Sequence, residues 1–68
     1  MDRQKLLEKM AEKKISVGQM SKLLKMSRSA FYRKTHDISE FTLGECERIV
    51  EILGIENPVE IFFQQKVS

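Results

Sequence analysis

Arg28, Ser29, Tyr32 and Arg33 pair off at a spacing of four: 28 with 32, and 29 with 33. On a helix, residues four apart share a face. The spacing would therefore present two guanidinium groups, a hydroxyl and a phenol as one set of hydrogen-bonding side chains. Arginine's planar fork matches paired acceptors, such as phosphate oxygens or the O6 and N7 of guanine. The surrounding charge fits such acceptors. Residues 15–36 carry five basic side chains (Lys22, Lys25, Arg28, Arg33 and Lys34) and no acid, a net charge of +5. Residues 1–14 carry +2 and residues 37–68 carry −5, so the overall +2 conceals a dipolar chain. A basic block of this kind is the electrostatic footprint of a protein that meets a polyanion.

For these side chains to act together, a helix must open at residue 28 and be held against a second element. Ser27 supplies the N-cap of that helix, which the spacing predicts over residues 28–34 with Ala30 and Phe31 facing inward. Upstream, Ser16 offers another N-cap, with Gln19 three residues on as in a capping box. The helix that follows, over residues 17–24, is expected to bury Met20, Leu23 and Leu24. Lys25 and Met26 form the turn, with Met26 inward. Two short helices pinned by apolar residues across a tight connection make a helix-turn-helix, whose second helix enters the major groove of duplex DNA. Each bidentate arginine–guanine pair would supply about 1–3 kcal/mol of discrimination. A charged helix face taken alone is usually just solvated. The flanking apolar spacing and the missing acids favour DNA contact here.

The remaining chain reads as helix as well. Asp2 caps a first helix reaching about residue 13, with Leu6, Leu7 and Met10 as its apolar stripe. Residues 36–40 form a polar loop anchored by Ile38. Thr42 caps a fourth helix, with Glu45 completing a capping box and Leu43, Cys46, Ile49, Val50 and Leu53 buried. Gly54 ends it in the position that favours left-handed backbone. Asn57 and Pro58 restart a short fifth helix as N-cap and first residue, covering Val59, Ile61, Phe62 and Phe63. The fold class is all-α, a compact bundle of about five short helices in one domain spanning residues 1–68.

Across these residues the chain resembles the lambda-repressor/Cro-like (XRE-type) helix-turn-helix family of phage repressors and small bacterial regulators. The resemblance runs through Ile15-Ser16, Met20-Ser21 and Leu24, then Met26-Ser27-Arg28-Ser29-Ala30-Phe31, and on to Leu53-Gly54-Ile55. It implies sequence-specific binding of double-stranded DNA, with Arg28, Ser29 and Arg33 at base-contacting positions and Ser27 at a cap that also touches phosphate. Tyr32 joins the base-contacting set by its place on the same face; stacking on sugar-phosphate, contact with a thymine methyl and packing on the loop remain open for it. Ser16, Lys22, Lys25 and Lys34 are the further phosphate candidates. Three departures from the family pattern stand out. Val17 replaces a glutamine that bonds phosphate, though the helix N–H groups there remain. Met10 and Thr35 replace an Arg–Glu ion pair. Thr35-His36-Asp37 replaces the usual Glu-Asn-Gly loop.

Composition bounds the alternatives. Sixty-eight residues allow one small core. Cys46 stands alone, so no disulfide framework or cysteine-rich metal site is expected, and a reducing, cytoplasmic setting fits. The start of the chain lacks a signal-peptide pattern, no apolar run suggests a membrane span, and the whole is expected to be mature protein. One histidine, one cysteine and no glycine-rich phosphate loop argue against an enzyme, a cofactor or a small-molecule substrate. His36 reads as a loop surface residue, and no metal site is expected. Adjacent Phe62 and Phe63 cannot both face one small core easily. One is expected to close the bundle while the other, with Ile61 or Val67, meets a second copy, making residues 58–68 a dimerisation segment. The competing readings are a protein-interaction module on the same scaffold (an antitoxin or antirepressor) and an excisionase-like DNA-bending accessory protein.

Overall fold

The computed structural model describes residues 1–63; Val67 lies outside the described residues. Five helices follow one another, α1 (Arg3–Glu12), α2 (Val17–Leu23), α3 (Arg28–Thr35), α4 (Leu43–Leu53) and α5 (Val59–Phe62), with no strand among the described residues. Each of the first four opens on a side-chain cap. Asp2, Ser16, Ser27 and Thr42 accept from the backbone N–H groups of Lys5, Gln19, Ala30 and Glu45, each at 3.1 Å. Gln19 and Glu45 reach back to the N–H groups of Ser16 and Thr42, closing two capping boxes. Short helices need these bonds, because an eight-residue helix leaves half its N–H groups without an intrahelical acceptor. Pro58 occupies the cap position of α5 with helical φ and no side-chain bond, so Asn57 does not cap by its side chain as expected.

The helix ends share one device. Lys14, Lys25 and Asp37 each adopt left-handed backbone (φ 56°, 57° and 60°), and each is followed by an apolar residue. The N–H groups of Ile15, Met26 and Ile38 then bond the carbonyls of Met10, Ser21 and Arg33, while those of Lys14, Lys25 and Asp37 bond Ala11, Lys22 and Lys34. This is the Schellman pattern, which satisfies carbonyls that a helix end leaves open. At the end of α4, Gly54 (φ 63°) takes the left-handed position and Ile55 bonds back to Val50. Three of the four following apolar residues turn inward. Ile55 is buried, and Ile15 and Met26 pack on the core.

The core comprises Leu6, Met10, Met20, Leu24, Phe31, Ile49, Leu53, Ile55 and Ile61. Burying nine such side chains is what offsets the ordering of short helices. Several expected members stay outside. Leu7 and Leu23 are 39% and 42% exposed, because each neighbours a buried leucine that takes the inward direction on its helix. Leu43, the first residue of α4, is 71% exposed. Ile38 is 66% exposed and does not anchor the loop. Phe41 does so, edge-on to Phe31 at 5.9 Å and to Phe62 at 6.1 Å.

The chain's two described ends are tied together. The Asp2 N–H donates to the Ile61 carbonyl at 2.7 Å. The Met1 ammonium, its side chain almost wholly buried, pairs with Asp37 at 2.9 Å.

Left-handed backbone costs a non-glycine residue about 1 kcal/mol or more. Lys14→Gly is therefore expected to stabilise the fold by about 0.5–1 kcal/mol. In a chain this small that corresponds to a rise in Tm of about 2–8 °C. Ala11→Gly, inside α1, is expected to lower Tm instead. Thermal denaturation followed by circular dichroism checks both, and a fall in both would refute the account of the turn.

Candidate nucleic-acid interface

Within the bundle, α2 and α3 pack against each other through Met20, Leu24 and Phe31, all buried. The connection runs from Leu24, which ends α2, through left-handed Lys25 and half-buried Met26 to the cap Ser27. Ser21 is buried and returns its hydroxyl to the Val17 carbonyl at 2.8 Å. A polar side chain inside the pair thus has its partner within its own helix. These contacts fix α3 by one edge and leave the other free.

Arg28, Ser29, Tyr32 and Arg33 are all exposed on that free edge. Together with Val17 they line one shallow, open groove between the start of α2 and the outer face of α3. No acid lines it. Among the described residues, Arg28 and Arg33 form no side-chain hydrogen bond or ion pair with another side chain, and neither do Lys22 and Lys25. Arg28 and Arg33, without counter-ions among the described residues, leave an attractive field for anions in this groove, and Lys22 and Lys25 add exposed charge to the same helix-turn-helix. Ser16 and Ser27 use their hydroxyl oxygens as acceptors for the caps, and each hydroxyl hydrogen remains a donor for a phosphate oxygen.

Lys34 differs from the other expected phosphate contacts. Its ammonium lies 2.6 and 2.9 Å from the two carboxylate oxygens of Glu45, in a pair with both side chains about four-fifths covered. It also stands 5.9 Å from the centre of the Phe41 ring. Lys34 thereby fastens α3 to the start of α4. Burial alone would push the Glu45 carboxyl up, but Lys34 and the Thr42 cap outweigh it and hold the group below its ordinary value of 4.5. Half-buried Cys46 sits beside Glu45 and Glu47, and burial with those charges pushes its thiol up, away from nucleophile behaviour.

Tyr32 is 59% exposed and also meets the ring of His36 edge-on at 3.8 Å, so it both packs on the loop and reaches solvent. His36 ends α3 rather than standing in a free loop, and a ring nitrogen lies 2.8 Å from the Arg3 guanidinium. Arg3 thus brings a fifth cation from α1 to the foot of α3. Nothing in the sequence marks it, because the contact spans 33 residues. Arg48 is similar, donating from α4 to the Leu23 carbonyl at the end of α2 (3.3 Å). Met10 and Thr35 are both buried, and the Thr35 hydroxyl donates to the Tyr32 carbonyl at 3.0 Å. No charge is left stranded at those two positions. At the far end, Ile61 is 2% exposed and belongs to its own chain's core, unlike the interface position expected for it. Phe62 is half-buried against Phe41, and Phe63 is 57% exposed.

Residues 5–62 match the model of the Cro/C1-type HTH DNA-binding domain. A protein of Aeropyrum pernix, provisionally named an HTH-type transcriptional regulatory protein, is 35% identical over 60 residues. That alignment covers 85% of this chain and 18% of the relative, so the chain spans less than a fifth of that protein's length. No solved structure gives a significant match.

The Lys34–Glu45 pair sets a pH dependence. A carboxyl held below its ordinary value stabilises the fold fully above that value and loses the contribution as pH falls through its folded value. Glu45→Gln is expected to cost about 1 kcal/mol at neutral pH, combining a weakened cap with a lost ion pair. The wild-type advantage should shrink as pH drops below 4.5. Parallel melting curves of the two proteins between pH 7 and pH 3 measure it; a gap that stays constant would exclude the assignment.

Proposed function

The chain belongs to the Cro/C1-type helix-turn-helix DNA-binding family, and we propose that it regulates transcription as a Cro- or repressor-like protein occupying an operator. The observation that carries this reading is the free edge of α3. Arg28, Ser29, Tyr32 and Arg33 stand exposed along one groove, held by a buried Phe31 behind them. Laid into a major groove, they would face base edges, with Arg28 and Arg33 the candidates for guanine. Ser16, Ser27, Lys22 and Lys25 would position the helix by phosphate contacts, which add affinity without sequence information. Lys34, engaged by Glu45, has the smaller part. Occupancy needs no catalytic group. A regulator of this kind works by excluding polymerase from the DNA it covers.

A homodimer fits this mode of action, its two α3 helices reading half-sites about 34–36 Å apart or a multiple of that. The face that supports it carries exposed apolar side chains among polar ones, Lys34, Asp37 and Glu40 included. Phe63 and Leu43 line a common cavity of about 360 Å³ beside Phe62 and Phe41, and Val59 is exposed nearby in sequence. The resemblance across the helix-turn-helix supports a phage- or prophage-type regulator. The setting proposed is the cytoplasm, where a lone thiol stays reduced. Among the described residues no helix is long and apolar enough to cross a membrane.

Selection of bound sites from random duplexes tests the reading. A defined sequence should emerge for the wild type, and Arg28→Ala and Arg33→Ala should each weaken binding to it by about 1–3 kcal/mol while relaxing one position. Lys22→Ala should weaken all sequences alike and reduce the salt slope by about one. Selection of unchanged sites by both arginine variants would refute the proposed recognition face. Sedimentation separates the dimer question. Phe63→Ser should shift the protein toward monomer, and a wild type that stays monomeric at high concentration and on DNA would remove the dimer.

A further inference from the structure

Gly18 lies in the first turn of α2, in ordinary helical backbone where glycine is not required by conformation. Its missing side chain nevertheless has a use. A Cβ placed there would stand 2.5 Å from Nη2 of Arg28, 2.9 Å from Nε and 3.0 Å from Cζ. These separations are well inside the 3.5–4.0 Å typical of carbon contacts. The guanidinium of Arg28 therefore occupies the space where any other residue at position 18 would carry its first carbon.

We infer that Gly18 is a positioning residue for Arg28: its bare backbone is a seat that holds the guanidinium between α2 and α3, and so sets which base or phosphate Arg28 meets. The inference rests on the reading of α3 as the DNA-contacting helix. Arg28 is exposed, and among the described residues its side chain forms no hydrogen bond or ion pair that would fix it. A long side chain without partners samples many rotamers, and a bidentate contact needs its fork in one orientation. The seat limits that sampling before DNA arrives. Neighbouring Val17 supports the assignment. It is 40% exposed, lines the same groove, and offers no polar group that could orient Arg28 in the seat's place.

Ordinary stability arguments give the opposite sign, which makes the inference testable. Alanine is the better helix former, and what it would strike is the far end of a flexible side chain. Gly18→Ala should therefore leave Tm unchanged or higher. On DNA it should behave as a partial Arg28 loss: affinity for the selected site falls by about tenfold, the converted value of one good contact. Base preference should broaden at the single position that Arg28→Ala also relaxes, while affinity for random-sequence duplex stays the same. The double variant Gly18→Ala with Arg28→Ala should bind like Arg28→Ala alone.

Four results would overturn the inference. A Gly18→Ala protein that selects the same sites with wild-type affinity, while Arg28→Ala loses them, removes the seat and leaves the recognition face standing. A further loss in the double variant means that Gly18 approaches DNA itself. A lowered Tm makes the glycine structural. If Arg28→Ala itself changes nothing, the recognition face and the inference fall together.

Discussion

Burial of Phe31 is the contact on which the remainder depends. An eight-residue helix such as α3 has no stability of its own in water. It persists because its one large apolar side chain is fully covered, with Met20 and Leu24 of α2 in the same core and Phe41 edge-on beside it. Phe41 passes the contact to Phe62, so three aromatic rings join the outward-facing helix to α5. Lys34 and Glu45 brace the same junction with a charged pair. The free edge of α3 can remain polar and unpaired only because its opposite edge is so firmly held.

Stability and recognition thus use different residues of one short segment. Between positions 27 and 35, Ser27 caps, while Phe31, Lys34 and Thr35 attach the helix to the bundle. Ser29 and Arg33 attach it to nothing that restrains their reach, while Tyr32 has its edge contact with His36 and Arg28 its seat over Gly18. Substitution on the outer edge can therefore alter what is bound without unfolding the domain, whereas the inner edge tolerates little.

What was legible in the sequence was what is local. Asp2, Ser16, Ser27 and Thr42 cap as their spacing indicates, because a cap bond spans three residues and needs no partner from elsewhere. Gly54 ends α4 for an equally local reason. Inward direction is not legible where it depends on a neighbour across the bundle. Leu23 and Leu43 are apolar at helical spacing yet exposed, and Ile38 leaves anchoring to Phe41. Ile61 adjoins Phe62 and Phe63 in sequence yet belongs to the core. Contacts between helices were invisible for the same reason: Arg3 with His36, Arg48 with the end of α2, and Arg28 over Gly18 join residues brought near only by the completed fold.

The repeated helix endings bear on how the chain reaches this state. At residues 14–15, 25–26, 37–38 and 54–55 the backbone reverses through bonds that span no more than five residues. Each corner can close without waiting for any distant contact, so little chain entropy is lost before apolar side chains begin to meet. A bundle assembled this way belongs among rapid folders, on a scale of roughly microseconds to milliseconds. The ties that close the largest loops, Asp2 to Ile61 and Lys5 to Glu60, depend instead on helices already brought together. The two described ends of the chain, rather than the helix-turn-helix between them, are where opening would begin.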